Sequence, residues 1–561
     1  MAPRRSLSPP DGSARAGLLS SCALAVGLLA ACHPPANGET SAETNEAAPS
    51  APSSSGPAGA ASAQPSGHGV EGEGQEGAAP TQPSDLVPAP SDGAGQVRAT
   101  QPRAASAAVD EKAKQLEAWA AERKGHAQLA VFDLESRTWL VEHRADEPTN
   151  PASTQKLLTA AAALELLGSA HVFRTEVLGR IEGDGIERLV LRGGGAPDLE
   201  SRDWLQVAHV LHERGVTRVG KIVVDQSRFA ESWVPPAFEQ QPEEWAAFRA
   251  PVSALALDRN TVALRVLPGK EGETARVWFE PPGLVANTGT ITTGKARAGD
   301  RVTWSLSPTA GRAELGSRVG GSLGADSSEV RYSRRLDDPR LAPGLALREL
   351  LREGGVKVPD QVTLGGAEGL PRLMHLDSQP LGSLIRALGK DSDNFTAEML
   401  AIALSQADER GRTDEPWSTQ RGLAVMSKWL KEHGLDSTAL VLKNGSGLFD
   451  ANRLTAHVLV RLLDYMFDRP SNSAEYMAQL ARGGRDGTLR SRFVRGPLAG
   501  RIRAKTGTLR DTSALAGYVM RADGRRPLAF AFLLGGAAGR QDEARKRIDE
   551  TLERLVALAG P

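Results

Sequence analysis

The first aromatic residue of this chain is Trp119, and this feature limits where a folded core can begin. Residues 33–108 are mostly Ala, Ser, Pro, Gly and Glu. A segment of this composition cannot bury enough apolar surface to offset the entropy lost on ordering, so we expect it to remain unfolded. As a flexible coil of about 75 residues it would span roughly 50 Å on average. The sequence therefore predicts a linker over 32–108 and a folded part that begins near residue 109.

A short apolar run, GLLSSCALAVGLLAAC, precedes the linker and ends at Cys32, with Arg4 and Arg5 ahead of it. The run is too short to cross a bilayer but has the length of a signal peptide. Its last residues, Leu-Ala-Ala-Cys, resemble a bacterial lipobox, which implies cleavage before Cys32 and lipidation of that residue. We expect a signal peptide over 1–31 and an exported, lipid-anchored protein in the periplasm. Because His33 follows Cys32 and no acidic residue does, the outer membrane is preferred over the inner one.

Charge and cysteine content exclude several functions. The formal net charge is -1, which gives no reason to expect a nucleic-acid partner. Cys22 and Cys32 are the only cysteines. If the chain is cut before Cys32, no other thiol remains, so disulfides, cysteine catalysis and Cys-ligated metals are excluded. No cofactor or metal is expected.

Both ends of the folded part have strand-like sequence. AQLAVFDL and TWLVEH near the beginning, and RIRAKTGTL, SALAGYVMRA and PLAFAFLLGG near the end, predict strands that could share one sheet. Helical sequence fills 381–467, and a final helix is expected from about 542 to 558. Between about 169 and 367 the sequence changes to short strands and many glycines, which is typical of an inserted domain. At 561 residues the chain is expected to hold two or three domains.

Three short motifs occur in a fixed order along the chain. Ser153 and Lys156 lie one turn apart at the predicted start of a helix, Ser392-Asp393-Asn394 lies in a helical stretch, and Lys505-Thr506-Gly507 lies on a predicted strand before Thr508. Alone, each motif is more often a helix cap or a solvated strand end. Together and in this order they are a much more specific signal for nucleophilic catalysis by serine.

These motifs resemble those of penicillin-binding proteins of the D-alanyl-D-alanine carboxypeptidase/endopeptidase type, the low-molecular-mass class C group or peptidase family S13. NGSGL from Asn444 and RDGTLRSRF from Arg485 support the resemblance, which covers about 109–561. It implies a multidomain α/β fold. Residues 109–168 and 368–561 would form a transpeptidase/β-lactamase-like domain with an antiparallel sheet flanked by helices. The strand-rich domain inserted at 169–367 would carry a smaller nested domain at about 267–335.

The resemblance implies a serine DD-peptidase that hydrolyses D-Ala-D-Ala termini, and also D-Ala cross-links, of peptidoglycan stem peptides through an acyl-enzyme on Ser153. β-Lactam antibiotics would acylate the same serine. A serine hydroxyl needs a base, and Lys156 can serve if burial and a nearby cation such as Lys505 lower its pKa. Ser392 would relay a proton to the leaving amine, and Asn394 would bind the substrate amide or orient Lys156.

Lys505, Thr506, Gly507 and Thr508 would bind the substrate backbone and its terminal carboxylate. The backbone N–H groups of Ser153 and Thr508 would form an oxyanion hole. Relatives tend to have an acidic Asp pair before the Ala-Pro-Val-Ser segment that begins at Ala250, and here Glu243 and Glu244 are the nearest candidates for reading the stem-peptide side chain.

Two other functions remain open from the sequence alone. One is a β-lactamase-like serine hydrolase with the same motifs, and the other is a non-catalytic peptidoglycan-binding lipoprotein. Intact lysines in both motifs argue against the second, since a scaffold has no need of them. The balance between carboxypeptidase and endopeptidase activity, the side-chain preference and the oligomeric state do not follow from the sequence.

Overall fold

A computed structural model describes residues 103–230, 232–309, 313–408, 415–436 and 439–558 of the chain. The predicted signal peptide, the predicted lipidation site Cys32 and most of the predicted linker lie outside these residues. The helices are α1 Arg103–Ala121, α2 Lys156–Leu167, α3 Ser201–Glu213, α4 Ala342–Glu353, α5 Leu381–Asp391, α6 Asn394–Ala403, α7 Thr419–Glu432, α8 Ala456–Phe467, α9 Ser473–Ala478 and α10 Gln541–Leu558. The strands are β1 Ala127–Asp133, β2 Thr138–His143, β3 Arg174–Leu178, β4 Ile181–Glu182, β5 Gly185–Ile186, β6 Leu189–Arg192, β7 Arg218–Val219, β8 Ile222–Asp225, β9 Thr261–Leu267, β10 Arg276–Glu280, β11 Val285–Thr288, β12 Thr292–Gly294, β13 Arg301–Ser307, β14 Leu315–Gly324, β15 Val330–Arg335, β16 Val362–Leu364, β17 Arg372–Asp377, β18 Ala481–Arg482, β19 Ile502–Leu509, β20 Thr512–Val519 and β21 Leu528–Leu534.

An antiparallel sheet joins the two ends of the folded part. In the described part of the chain its strand order is β18-β19-β20-β21-β1-β2. Every residue of β1, β20 and β21 is buried, because these strands lie in the middle of the sheet with helices on both faces. The predicted α/β class, with an antiparallel sheet flanked by helices, is confirmed.

Alternate residues of β21 face opposite sides of the sheet, as strand geometry requires. Phe530 and Phe532 lie in the core that includes residues of α1 and α10, and each buried phenylalanine contributes about 1.5–3 kcal/mol. Ala529 and Ala531 lie in the core that includes α2 and α8. Their small side chains leave room for α8 to lie against the strand. The sheet is thus covered by helices on both faces, and α2 lies in the layer on the alanine side.

The chain becomes ordered before residue 109, where the sequence predicts the folded part to begin. Helix α1 starts at Arg103, inside the segment expected to be linker, and it ends at Ala121. The reason is local: its first turns are alanine-rich, and alanine has the highest helix propensity of all residues. Composition alone therefore places the end of the linker too late.

A second sheet follows α2 in the chain. Its strand order is β16-β8-β6-β3-β17, with β6, β8 and β16 parallel and the other pairs antiparallel. Residues of α3 and α4, among them Trp204 and Leu345, pack in one core with these strands. The sheet extends to Asp377, so the boundary expected at residue 367 is too early. Strand β17 is half-exposed and has no continuous apolar run; its pairing with β3 and the packing of Leu373, Met374 and Leu376 against the core hold it in the sheet.

Two smaller sheets lie between β8 and α4 in the chain. One has the order β10-β9-β15, and the other joins β11, β12 and β13 to β14. A separate small core, which includes Leu264, Val266 and Ile291, supports them. Because β9 pairs with both β10 and β15, this nested part begins at Thr261, earlier than the expected residue 267. Among the described residues, no helix combines the length and the apolar character needed to cross a lipid bilayer.

Candidate active site

Ser153 lies in a short 3₁₀ turn, Ala152–Gln155, that leads directly into α2. Helix α2 begins at Lys156, so the two side chains are one turn apart and point to the same side. Lys156 Nζ is 2.9 Å from Ser153 Oγ. The preceding residue, Ala152, has a φ of 47°, a left-handed conformation that costs a non-glycine residue on the order of 1–3 kcal/mol. Such strain is typical of functional turns.

Three oxygen atoms surround the buried Lys156 Nζ. It lies 2.9 Å from Ser153 Oγ, 2.7 Å from Asn394 Oδ1 and 2.7 Å from the backbone oxygen of Ser446. The amide orientation of Asn394 is fixed, because its Nδ2 donates to the backbone oxygen of Phe248 at 3.0 Å. The oxygens of Asn394 and Ser446 can only accept, so they take both N–H groups of a neutral amine. The remaining lone pair then faces the Ser153 hydroxyl, which can donate its proton to it.

Burial sets the protonation of Lys156. The side chain is fully buried, and loss of solvation lowers its pKa from 10.5 to about 7. The carboxylates of Glu398 and Asp393 act in the opposite direction and raise this pKa. The sequence predicted that burial and the nearby Lys505 would both lower this pKa; desolvation is the main cause, and the repulsion between the two lysines favours the neutral form in the pair. At neutral pH a large fraction of Lys156 is therefore unprotonated.

The second motif occupies the junction of α5 and α6. Ser392 ends α5 with a φ of 58°, in the left-handed region. Asp393 caps α6, and its side chain accepts from the backbone N–H of Phe395 at 3.0 Å. This sharp junction turns Ser392 towards β19 while Asn394, the first residue of α6, faces Lys156. The cap explains why the motif has an aspartate between its two functional side chains.

Lys505 comes from β19 and is fully buried. Its Nζ donates to Ser392 Oγ at 2.8 Å and to the backbone oxygen of Thr506 at 2.7 Å. Desolvation lowers the pKa of Lys505 well below its usual value, and repulsion from Lys156 adds to this effect. The two lysines thus belong to one electrostatically coupled group.

The remaining residues of the third motif line the edge of this group. Thr506 Oγ1 lies 2.9 Å from Thr488 Oγ1, and Thr508 is exposed. Gly507 lies against the serine turn: a Cβ there would be 3.0 Å from the backbone oxygen of Pro151. Glycine is needed at this position because any side chain would push β19 away from the Ser153 turn.

Among the described residues no hydrogen bond or ion pair joins Glu243 to this group, and its side chain is exposed in a turn. Glu244 acts in that turn, where its carboxylate accepts the backbone N–H of Ala246 at 2.8 Å. Cys32 lies outside the described residues. Five of the predicted residues, by contrast, form two hydrogen-bonded groups that meet at the junction of α5 and α6: Lys156 with Ser153 and Asn394, and Lys505 with Ser392.

Sequence reasoning assigned no role to Ser446, whose backbone oxygen contacts Lys156, or to Glu398, which holds Ser446. Glu398 is fully buried on α6, and its carboxylate accepts the backbone N–H groups of Gly445 at 3.0 Å and Ser446 at 2.8 Å. Ser446 in turn supplies the backbone oxygen for Lys156. The signal for Glu398 was present: it is the one charged residue in the apolar helix NFTAEMLAIA, four residues after Asn394.

An antiparallel sheet flanked by helices, a serine hydroxyl beside a buried lysine and a second buried lysine on a sheet strand define a class of protein. It is the class of serine hydrolases that form an acyl-enzyme on a transpeptidase-like domain.

The sequence model of the D-Ala-D-Ala carboxypeptidase 3 (S13) family matches residues 106–557, and the chain belongs to that family of serine-type D-Ala-D-Ala carboxypeptidases. It is 32% identical to the D-alanyl-D-alanine carboxypeptidase of Actinomadura sp. (strain R39), over 77% of this chain and 81% of that protein. It is 27% identical to carboxypeptidase DacB of Mycolicibacterium smegmatis, over 72% of this chain and 76% of that protein. Among solved structures, penicillin-binding protein 4 of Haemophilus influenzae has the same fold, with a TM-score of 0.65 and 22% identity over 80% of this chain and 98% of that one.

Proposed function

We propose that the protein hydrolyses the terminal D-Ala-D-Ala bond of peptidoglycan stem peptides through an acyl-enzyme on Ser153. The observation that carries this proposal is the set of contacts around Lys156, which leaves the lysine lone pair facing the Ser153 hydroxyl. Lys156 takes the hydroxyl proton as Ser153 Oγ attacks the carbonyl carbon of the penultimate D-Ala. The C–N bond then breaks, the departing D-Ala amine receives a proton, and water later hydrolyses the ester.

Ser392 and Lys505 act on the other side of the substrate. Ser392 Oγ, at the junction of α5 and α6, accepts a hydrogen bond from Lys505 and can deliver a proton to the departing amine. Lys505 uses two of its N–H groups within the protein and, with Thr506 and Thr508, supplies donors for the terminal carboxylate of the substrate. Backbone N–H groups of Ser153 and Thr508 would stabilise the oxyanion, at about 2.7–4 kcal/mol for each donor.

Family membership supports this substrate. The relative from Actinomadura is named a D-alanyl-D-alanine carboxypeptidase, and the Haemophilus influenzae penicillin-binding protein 4 has been solved with a β-lactam bound. We infer that β-lactams acylate Ser153 here, because they present a strained amide to the same nucleophile. Cleavage of D-Ala cross-links would use the same groups, with the amine of a neighbouring stem peptide as the leaving group.

Two measurements test the proposal. Purified protein should release D-Ala from a D-Ala-D-Ala peptide, and labelled penicillin should attach to a single peptide that contains Ser153. Ser153→Ala should abolish both. Rapid penicillin turnover with no attack on the peptide would favour a β-lactamase, and binding of sacculi with no reaction at all would favour a scaffold. The products of sacculus digestion would give the balance between carboxypeptidase and endopeptidase activity.

We also propose that the protein is exported to the periplasm and anchored by a lipid on Cys32, in the outer membrane. The lipobox-like end of the apolar run and the low-complexity segment after it support this location. Cys32→Ser should release the protein from the membrane fraction without changing its activity on soluble peptides. Membrane association that persists in this variant would contradict the proposal.

A further inference from the structure

Glu398 is a fully buried carboxylate that no step of the proposed reaction uses. A buried charge is costly unless hydrogen bonds satisfy it. Here the partners are two successive backbone N–H groups, those of Gly445 and Ser446, together with the Ser446 hydroxyl. Burial raises the pKa of Glu398, and these hydrogen bonds act against that rise. Since both oxygens accept from N–H donors, the geometry fits the ionised form.

The Gly445–Ser446 loop, which Glu398 holds, makes hydrogen bonds on two opposite sides. The N–H groups of Gly445 and Ser446 point to Glu398, whereas their backbone oxygens point to α2. Thr159 Oγ1 donates to the Gly445 oxygen and Lys156 Nζ to the Ser446 oxygen, both at 2.7 Å. The loop is therefore held between α6 and α2.

The Ser446 oxygen matters for the chemistry, because it takes one of the two N–H groups of neutral Lys156. Without that acceptor, the amine could rotate about its Cε–Nζ bond and turn an N–H towards Ser153. The lone pair would then no longer face the hydroxyl proton. An acceptor that occupies this N–H is thus needed to aim the base.

We propose that Glu398 is a positioning residue for the acylation base: it holds the Gly445–Ser446 backbone so that the Ser446 oxygen directs the lone pair of Lys156 to Ser153. This inference rests on the proposed role of Lys156 and extends it to a residue that does not touch the substrate. The charge of Glu398 has a second consequence. Together with Asp393 it raises the pKa of Lys156, while Lys505 is the nearby cation.

The experiment measures the rate of Ser153 acylation by labelled penicillin as a function of pH. Glu398→Gln keeps the shape but replaces one acceptor with an NH₂ group that faces a backbone N–H. We expect the rate to fall by more than about tenfold. The acid limb of the profile should also move to lower pH, because the carboxylate that raises the pKa of Lys156 is gone.

Three variants serve as comparisons. Thr159→Val removes the other anchor of the same loop without a change of charge, so its rate should fall while its acid limb stays in place. Glu398→Asp keeps the charge but is too short to reach both N–H groups, so it should behave like Thr159→Val and also serves if Glu398→Gln does not fold. Glu432→Gln makes the same change on an exposed face of α7 and should leave both rate and limb unchanged.

The outcomes separate the inference from the proposed function. If wild-type protein is not acylated at Ser153, the proposed function fails. If wild-type protein is acylated and folded Glu398→Gln matches it in rate and profile, the inference about Glu398 is overturned. A lower rate with an unmoved acid limb in Glu398→Gln would show that Glu398 acts only by holding the loop, as Thr159 does, and would overturn the second consequence drawn from its charge.

Discussion

Lys505 Nζ donates a hydrogen bond to Ser392 Oγ at 2.8 Å, so the second and third sequence motifs meet directly in the folded protein. The first motif joins them through Asn394, which accepts from Lys156. Each lysine therefore has its own partner in the junction between α5 and α6: Asn394 for Lys156 and Ser392 for Lys505. This arrangement assigns the two lysines different tasks.

The two lysines should respond differently to replacement by arginine. Lys156→Arg keeps a positive charge but cannot deprotonate, so penicillin acylation should fall by about 10²–10⁴, the usual contribution of a general base. Lys505→Arg keeps the cation that binds the carboxylate and should retain more activity. Acylation rates and circular dichroism spectra of both variants check this expectation. Equal losses in two folded variants would contradict the division of roles.

Acylation should depend on pH with a midpoint near neutrality. The pKa of Lys156 is lowered to about 7, and only the neutral amine can accept the Ser153 proton. The rate should therefore be close to its maximum above pH 8 and fall roughly tenfold for each pH unit below the pKa. Stopped-flow measurement of the acylation rate with penicillin between pH 5 and 9 gives this fall in rate at acid pH. A rate that stays constant over this range would show that another group is the base.

Gly447 should not tolerate a side chain. Its φ is 76°, and a Cβ there would lie 2.0 Å from the backbone oxygen of Ala152, directly before the nucleophile. Gly447→Ala should therefore lower the melting temperature and greatly reduce labelling of Ser153. The matched control is Gly434→Ala: its φ is 64°, but no atom lies within 4 Å of the new Cβ, so only the conformational cost of on the order of 1–3 kcal/mol applies. Equal effects of the two changes would refute the steric argument.

Much of the candidate site could be predicted from the sequence because its groups lie in short local patterns. The spacing of Ser153 and Lys156, the Ser392–Asn394 motif and the Lys505 strand each depend on neighbours in the chain. The contacts of Glu398 with Gly445 and Ser446 do not, since they join residues more than 40 positions apart, separated by 47 and 48. No local pattern encodes such a contact.

The elements of the fold that could be predicted are likewise those with a local sequence signal. Strands β20 and β21 are buried at every residue, and their apolar runs predict them from sequence. Strand β17 is half-exposed, and its pairing with β3, supported by an ion pair between Arg174 and Asp377, joins segments distant in the chain. The burial that lowers the pKa of Lys156 is likewise a property of the whole core. The sequence alone therefore could not show that burial is the main cause of this lowered pKa.

The nested strands are expected to affect access to the substrate and not the catalytic groups. Val266 at the end of β9 pairs with Val330 at the start of β15, so a short Gly/Ser linker can replace residues 268–329. The end of β15 must be kept. Arg335 donates to the backbone oxygens of Pro242 and Glu244, at 2.7 and 2.8 Å, and so holds the segment that leads to Phe248.

The replacement should leave penicillin acylation of Ser153 intact, because the contact between Phe248 and Asn394 remains. Activity on polymeric peptidoglycan should fall more than activity on a small D-Ala-D-Ala peptide. Leu264 and Val266 lose their small core and are changed to Thr in the same variant to keep it soluble. Arg335→Ala in the full chain is the opposite case: it keeps the nested strands but releases the segment before Phe248, so acylation itself should slow. If the replacement variant is folded yet not acylated, the nested strands contribute to the catalytic centre and this division of the chain is wrong.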